Sequence, residues 1–302
     1  MSHETCSDLP QVSNVAHGAN PKIFLVLLVS ISVASVETFA AGERTDPKDP
    51  SFKEDKTVPH GATRMVWYQS STLGMRRRMH VYTPPGYDDS DARYPVLYLL
   101  HGVDCDDSGW STFGGTGAIL DNLLAAKKVK PMIVVMPNGS LPQRLDPATG
   151  QPIPAEPGRF SAELMNNVIP YVEKNYRTLA DKDNRAIAGL SMGAMQTIWS
   201  ALGNPDKFAY IAVWSNGVRR ESSAYIEKRF SAFLDHPDQT NQSVKMLWIG
   251  IGSQDPLLAY ARNFELLLNK HGIRHEYHET EGGHTWVNWR QYLTECAPMF
   301  FQ

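Results

Sequence analysis

From residue 60 onward the sequence alternates between short apolar runs and segments with helical spacing of apolar residues. Two of the apolar runs, 95–100 and 132–136, are almost uninterrupted, which is typical of strands covered on both faces. Strands that alternate with helices predict an α/β fold with a mostly parallel sheet and helices on both faces. The predicted strands are 64–69, 77–82, 95–100, 132–136, 185–188, 210–214, 246–251 and 275–279, and the predicted helices are 118–126, 160–176, 194–202, 222–234, 257–271 and 286–300.

The strands 64–69 and 77–82 are expected to pair antiparallel at one edge of the sheet. The chain has 302 residues, 42% of them hydrophobic, and no internal repeat, so residues 61–302 are expected to form a single domain. A net charge of −3 indicates neither nucleic acid nor an anionic membrane surface as a partner. The one basic cluster, 76–78, is expected to be the exposed end of a strand.

The N-terminal segment differs in composition from the rest. Lys22 precedes an apolar run that continues to about Val36, and small residues around Ala40 follow. This pattern predicts a secretory signal peptide over 1–41 and a secreted or periplasmic protein. The alternative is an uncleaved membrane anchor, but the run is short for a full span and contains serines. Residues 42–60 are predicted to be a disordered lead, because they are rich in charged residues and proline.

The chain has three cysteines, and cleavage of the signal would leave Cys105 and Cys296. These two could pair in an oxidising compartment or stay separate thiols, and their spacing does not distinguish the two cases. No Cys/His cluster has metal-ligand spacing, so no metal site is expected.

One pentapeptide lies between a strand-like run and a helix-like run. Its sequence is Gly189-Leu190-Ser191-Met192-Gly193. It fits G-x-S-x-G, the nucleophile elbow that sets a serine on a sharp strand-to-helix turn. Side chains at the two glycines would crowd such a turn. The alternative is an ordinary turn with a surface serine, and the flanking strand and helix favour the elbow.

A serine nucleophile needs an adjacent base that a carboxylate orients, in the chain order Ser, acid, His. His284 lies in a glycine loop between the last predicted strand and the last helix. Asp255 follows a central strand and precedes a helix, where it could instead cap that helix with Pro256 at the first position. The sequence therefore predicts Ser191, Asp255 and His284 as a catalytic triad.

Acyl transfer also requires two N–H donors for the oxyanion. The backbone N–H of Met192 is expected to be one of them. The other is expected from the loop after strand 95–100, where Gly102 and Val103 are both candidates. His101 precedes these two residues and is expected to fix the loop rather than act as the base.

Several segments of the chain, taken in their order along the sequence, resemble motifs of the putative esterase family. This family includes the feruloyl and acetylxylan esterases of carbohydrate esterase family 1. Related groups with the same fold are the enterochelin esterases, the S-formylglutathione hydrolases and the mycolyltransferases. The matching segments are 81–87, 94–102, 108–110, 189–193, 206–210 and 282–286. The resemblance implies an α/β-hydrolase fold and a cofactor-free serine esterase, closest to secreted feruloyl esterase domains. One departure is the segment 103–107, where related sequences often carry glycines.

The resemblance implies an ester substrate, with feruloyl groups on plant polysaccharide or oligosaccharide as the first candidate. The alternative substrates are acetylated xylan and other small-acyl esters. The alternative reaction is acyl transfer to a non-water acceptor. An interpretation from another class is a non-catalytic carbohydrate-binding protein on the same scaffold. Trp110 and Trp286 are candidate substrate-binding residues, although Trp110 could equally belong to the core. The proline-rich loop 138–159 is expected to wall the binding site or to be a surface excursion.

Overall fold

The computed structural model describes residues 54–103, 105–153, 158–219 and 222–302. The predicted signal peptide and residues 42–53 of the lead lie outside these ranges. In the part of the chain that is described, no helix is both long and apolar enough to cross a membrane.

The described residues form one large mixed sheet and a small hairpin. The strands are β1 (Ala62–Ser70), β2 (Met75–Thr83), β3 (Val96–Leu100), β4 (Ile133–Pro137), β5 (Arg144–Leu145), β6 (Pro152–Ile153), β7 (Arg185–Leu190), β8 (Tyr210–Trp214), β9 (Met246–Gly252) and β10 (Glu276–Thr280). The large sheet has the order β1-β2-β4-β3-β7-β8-β9-β10, and β5 pairs with β6 inside the proline-rich loop. The predicted edge pair is confirmed, since β1 and β2 are antiparallel. From β4 to β10 all neighbours are parallel.

Helices cover both faces of this sheet. They are α1 (Gly109–Thr112), α2 (Thr116–Ala125), α3 (Arg159–Glu163), α4 (Ile169–Asn175), α5 (Met192–Gly203), α6 (Ser223–Arg229), α7 (Ser231–Leu234), α8 (Pro237–Ser243), α9 (Leu258–Lys270) and α10 (Trp286–Cys296). A π-helical turn, Leu164–Val168, joins α3 to α4, and short 3₁₀ turns lie at Lys182–Asn184 and Ala297–Met299.

Two hydrophobic clusters show why the central strands are apolar on both faces. In β8, Ile211 and Val213 pack in the cluster that also includes side chains of α3 to α7 and α9. Tyr210, Ala212 and Trp214 of the same strand pack in the other cluster, with side chains of α1, α2 and α10. The alternation of directions along a strand therefore places every residue of β8 in a core. This confirms the predicted fold class.

Two local features differ from the predicted pattern, and one alternative that the sequence left open is decided. The helix predicted over 222–234 is interrupted at Phe230, whose φ of −114° and ψ of 26° leave the helical region and separate α6 from α7. The polar helix α8 was not predicted, because its sequence PDQTNQS has no apolar periodicity. Cys296 is a buried free cysteine, so it does not form the considered disulfide with Cys105.

Candidate active site

Ser191 occupies the sharp turn between β7 and α5. Its φ of 53° and ψ of −116° lie in a region that non-glycine residues rarely adopt. A Cβ atom at Gly189 would approach the backbone carbon of Gly193 to 2.4 Å, and one at Gly193 would approach the Leu100 carbonyl oxygen to 2.5 Å. Both glycines are thus needed for the close packing of α5 against β7 and β3.

Ser191, His284 and Asp255 are joined by hydrogen bonds. The Ser191 Oγ lies 2.9 Å from His284 Nε2, and Asp255 Oδ2 lies 2.9 Å from His284 Nδ1. All three residues follow the carboxyl ends of parallel strands, and those ends meet at the same edge of the sheet. The tertiary structure therefore brings the three residues predicted from the sequence into one chain of contacts.

The two roles considered for Asp255 coexist because each carboxylate oxygen has a different partner. While Oδ2 faces His284, Oδ1 accepts a hydrogen bond of 2.8 Å from the N–H of Leu257, in the turn before α9. The Asp255 side chain is fully buried, whereas that of His284 is 28% exposed. The carboxylate is thus held rigidly and out of water, while the imidazole borders the solvent.

The loop that carries His284 is supported from two sides. Gly282 has a φ of +91°, and the Asn288 Nδ2 donates a hydrogen bond of 2.7 Å to the neighbouring Glu281 carbonyl. A Cβ at Gly252, the last residue of β9, would meet the Gly282 carbonyl oxygen at 2.4 Å. This close backbone approach sets the His284 loop directly on the strand that leads to Asp255.

The loop after β3 passes over the nucleophile. A Cβ at Gly102 would lie 3.3 Å from the Cβ of Ser191, so this backbone is in contact with the elbow. His101 is 1% exposed and both of its ring nitrogens bind backbone groups, the Gly102 carbonyl at 2.7 Å and the Gly139 N–H at 2.8 Å. It has no nitrogen left for Ser191 and serves, as expected, to hold the loop.

Two acidic residues in the loop after β3 anchor it to β2, and the sequence analysis did not assign them a role. Asp107 is fully buried and accepts hydrogen bonds from Arg78 Nε at 2.7 Å and from His80 Nδ1 at 2.8 Å. The guanidinium of Arg78 also contacts Asp106. The alternation of Arg78 and His80 on one face of β2 is the signal that could have identified this cluster.

The basic cluster 76–78 is therefore not simply an exposed strand end. Arg77 is 8% exposed and donates hydrogen bonds to the carbonyls of Asn138 at 2.6 Å and Ser140 at 2.7 Å. Arg76 alone of the three is fully on the surface, with its guanidinium 5.2 Å from the Trp67 ring centroid.

The two candidate tryptophans differ in exposure. Trp110 is 1% exposed and donates its indole N–H to the Leu100 carbonyl at 3.0 Å, so the structure gives it the core-packing role and corrects its assignment to substrate binding. Trp286 is half-buried, and its ring stacks on that of Phe113 with centroids 5.9 Å apart. Trp286 also packs on Trp289, whose ring contacts His284, so an aromatic surface extends from the imidazole.

Comparison with known proteins gives consistent matches. The model of the family described as "Putative esterase" matches residues 70–300. An endo-1,4-beta-xylanase/feruloyl esterase of Xylanibacter ruminicola is 32% identical over 273 residues, covering 87% of this chain and 34% of that protein. An esterase of Mycobacterium tuberculosis is 30% identical over 264 residues, covering 72% of this chain and 55% of that protein. The chain thus spans between a third and just over a half of the length of these relatives.

Solved structures share the fold. The ferulic acid esterase of the anaerobic fungus Anaeromyces mucronatus matches with a TM-score of 0.69 and 22% identity, over 84% of this chain and 95% of that one. The S-formylglutathione hydrolase of Staphylococcus aureus matches with a TM-score of 0.60 and 22% identity, over 80% of this chain and all of that one.

Proposed function

The chain belongs to the putative esterase family, and we propose that it is a carboxylic-ester hydrolase whose catalytic triad is Ser191, His284 and Asp255. The observation that carries the proposal is the contact of 2.9 Å between Ser191 Oγ and His284 Nε2. A neutral serine hydroxyl is a poor nucleophile and becomes a competent one when a base takes its proton during attack.

The geometry supports one assignment of protons. The buried Asp255 carboxylate accepts a hydrogen bond from His284 Nδ1–H, so the proton of the neutral ring stays on Nδ1 and the unprotonated Nε2 faces Ser191. Ser191 Oγ attacks the ester carbonyl carbon while Nε2 takes the hydroxyl proton. Collapse of the tetrahedral intermediate breaks the bond to the alcohol oxygen, and His284 donates the proton to it. Water then attacks the acyl-enzyme by the same sequence and releases the acid.

The backbone N–H groups of Met192 and Val103 are the proposed oxyanion donors. Neither N–H donates to an acceptor among the described residues. Met192 belongs to the elbow, and Val103 directly follows Gly102, whose backbone lies against Ser191. Donors held ready in this way stabilise the negative charge of the transition state without reorganising. The Gly102 carbonyl points to His101. The Val103 N–H belongs to the same trans peptide and points the opposite way, which favours Val103 over Gly102 as the second donor.

The proposed substrate is a hydroxycinnamoyl ester, with ferulate linked to plant polysaccharide as the first choice. The names of the xylanase/feruloyl esterase relative and the ferulic acid esterase structures support this choice. The aromatic rings of Trp286 and Phe113, which Trp289 connects to the imidazole, also suit an aromatic acyl group. The predicted signal peptide supports secretion or export to the periplasm, where the enzyme would have access to such a substrate.

The first experiment replaces the nucleophile. Ser191→Ala should abolish hydrolysis of methyl ferulate and of p-nitrophenyl acetate while circular dichroism and thermal unfolding stay near wild type. Ser243→Ala, at the end of α8, is the control and should leave turnover unchanged. Wild-type turnover in Ser191→Ala would refute the proposed triad.

A second experiment addresses the substrate with methyl ferulate, acetylated xylan, p-nitrophenyl acetate and S-formylglutathione. The proposal expects the highest kcat/KM for methyl ferulate. Trp286→Ala should raise KM for methyl ferulate more than for p-nitrophenyl acetate, because only the former has an aromatic acyl group. A preference for the thioester would overturn both the proposed substrate and the proposed compartment.

A further inference from the structure

A three-residue segment after β4, Asn138–Ser140, lies between the loop that follows β3 and the helix that follows Ser191. The N–H of Gly139 donates to His101 Nε2 at 2.8 Å, and its carbonyl accepts a hydrogen bond of 2.9 Å from Gln196 Nε2. Arg77 binds the carbonyls on either side of Gly139. The side chains that hold the segment are buried, with Gln196 5% and His101 1% exposed.

The contact with Gly139 determines which nitrogen of His101 carries the proton. A backbone N–H can only donate, so Nε2 must accept and is unprotonated. The proton of the neutral ring is therefore on Nδ1, which donates to the Gly102 carbonyl at 2.7 Å. Burial lowers the pKa of His101 and helps to maintain the neutral ring.

The hydrogen bond from His101 also orients the next N–H group. The peptide between Gly102 and Val103 is trans, so its N–H points opposite to its carbonyl. With the Gly102 carbonyl held toward the buried imidazole, the Val103 N–H is directed away from His101. Val103 is 62% exposed, which places this residue at the open side of the loop.

Gln196 connects the same segment to the nucleophile helix. Gln196 belongs to α5, whose first residue is Met192, the source of the other proposed oxyanion donor. A Cβ at position 139 would come within 2.6 Å of the Gln196 Oε1, so a glycine at this position allows the amide to reach the backbone. One continuous chain of hydrogen bonds thus runs from α5 through Gly139 and His101 to Gly102.

We propose that His101 and Gln196 are positioning residues that set the two oxyanion donors relative to each other through the backbone of Gly139. The proposal rests on the proposed function, because it presumes that the N–H groups of Met192 and Val103 bind the oxyanion. It assigns the backbone N–H and carbonyl of Gly139 as the common anchor of the loop after β3 and the nucleophile helix.

The test uses two substitutions at His101 that each keep one of its hydrogen bonds. In His101→Asn the amide nitrogen takes the place of Nδ1 and can still donate to the Gly102 carbonyl. In His101→Gln the amide oxygen takes the place of Nε2 and can still accept from Gly139, but the Gly102 carbonyl loses its donor. Removal of one oxyanion donor lowers kcat by about 100-fold or more. We therefore expect kcat for p-nitrophenyl acetate to fall about 100-fold in His101→Gln and only about 10-fold in His101→Asn, with KM within about 3-fold of wild type in both.

Gln196→Met tests the other end of the chain with a side chain of similar length. We expect it to lower kcat about 10-fold, again with KM nearly unchanged, because it removes the donor to Gly139. His271→Gln, at the distant end of α9, is the control and should keep wild-type kcat. Gln196→Met still tests the proposed positioning role if a His101 variant does not fold.

Several results would overturn the proposal. It fails if Gln196→Met keeps kcat within about 2-fold of wild type, or if folded His101→Asn and His101→Gln lose activity equally. A loss that appears in KM rather than kcat would also contradict it, since the oxyanion exists only in the transition state and intermediate. Loss of activity in Ser191→Ala together with any of these results would reject the positioning role and leave the proposed function standing.

Discussion

Trp289 packs edge-on against His284, with ring centroids 5.0 Å apart and an interplanar angle of 90°. The indole N–H of Trp289 donates to Ser215 Oγ at 2.9 Å, so the tryptophan is itself fixed to the end of β8. The imidazole is on a loop and partly exposed, and this aromatic wall restricts the positions that its ring can take.

Replacement of Trp289 should therefore lower activity without abolishing it. An edge-to-face aromatic pair contributes about 0.5–1.5 kcal/mol, which corresponds to a decrease in kcat of about 2- to 10-fold in Trp289→Leu. Trp289→Phe keeps an aromatic edge and should lose less. Steady-state kinetics with methyl ferulate would check this, and a Trp289→Phe variant slower than Trp289→Leu would contradict the packing explanation.

Asp255→Asn should lower kcat by about 10³- to 10⁴-fold and leave the fold intact. An asparagine oxygen can still accept the hydrogen bond from Leu257, so the turn before α9 should be kept. An amide facing His284 Nδ1 would favour the tautomer with a proton on Nε2, which cannot take the proton of Ser191. The check is kcat alongside thermal unfolding, with Asp235→Asn as a control that should behave like wild type.

Two glycines of α5 should respond to alanine in opposite ways. In Gly193→Ala the new Cβ would meet the Leu100 carbonyl oxygen at 2.5 Å, and we expect a loss of about 1–3 kcal/mol in the free energy of unfolding. In Gly203→Ala the nearest atom is Phe230 Cε1 at 3.5 Å, an ordinary contact, so the better helix propensity of alanine should make the change neutral or stabilising. Urea denaturation of both variants would measure the difference, and equal effects would argue against the backbone clash.

The buried His101 should make stability depend on pH. Burial lowers the pKa of His101 from its ordinary value of 6.5, so below that pH the unfolded chain binds a proton that the native protein excludes. Acidification then favours the unfolded state, and this residue alone lowers the free energy of unfolding by up to about 1.4 kcal/mol per pH unit. The difference in stability between wild type and His101→Asn should consequently shrink as the pH is lowered from 7 to 5. A constant difference in urea denaturation across this range would contradict the prediction.

Much of the fold was predictable because the signals are local. An apolar run or a helical spacing of apolar residues is formed by residues close together in the chain, so the sequence shows it directly. The apolar run of β8, for example, reflects its burial between the two hydrophobic clusters. The elbow is also local, since Gly189 and Gly193 are required by a single turn. Phe230 shows the limit, because an apolar residue within an apolar segment gives no sign that the helix stops there.

By itself the sequence determined the α/β class, the elbow and the chain order Ser191, Asp255, His284, because each of these is encoded in residues close together or in their succession. Only the tertiary structure decided which side chains meet. His101 and Gly139 are 38 residues apart, and Gln196 is 57 residues from Gly139, yet their hydrogen bonds hold one buried segment. Such contacts arise from the pairing of strands and the docking of α5 on the sheet. No local pattern of residues records that geometry.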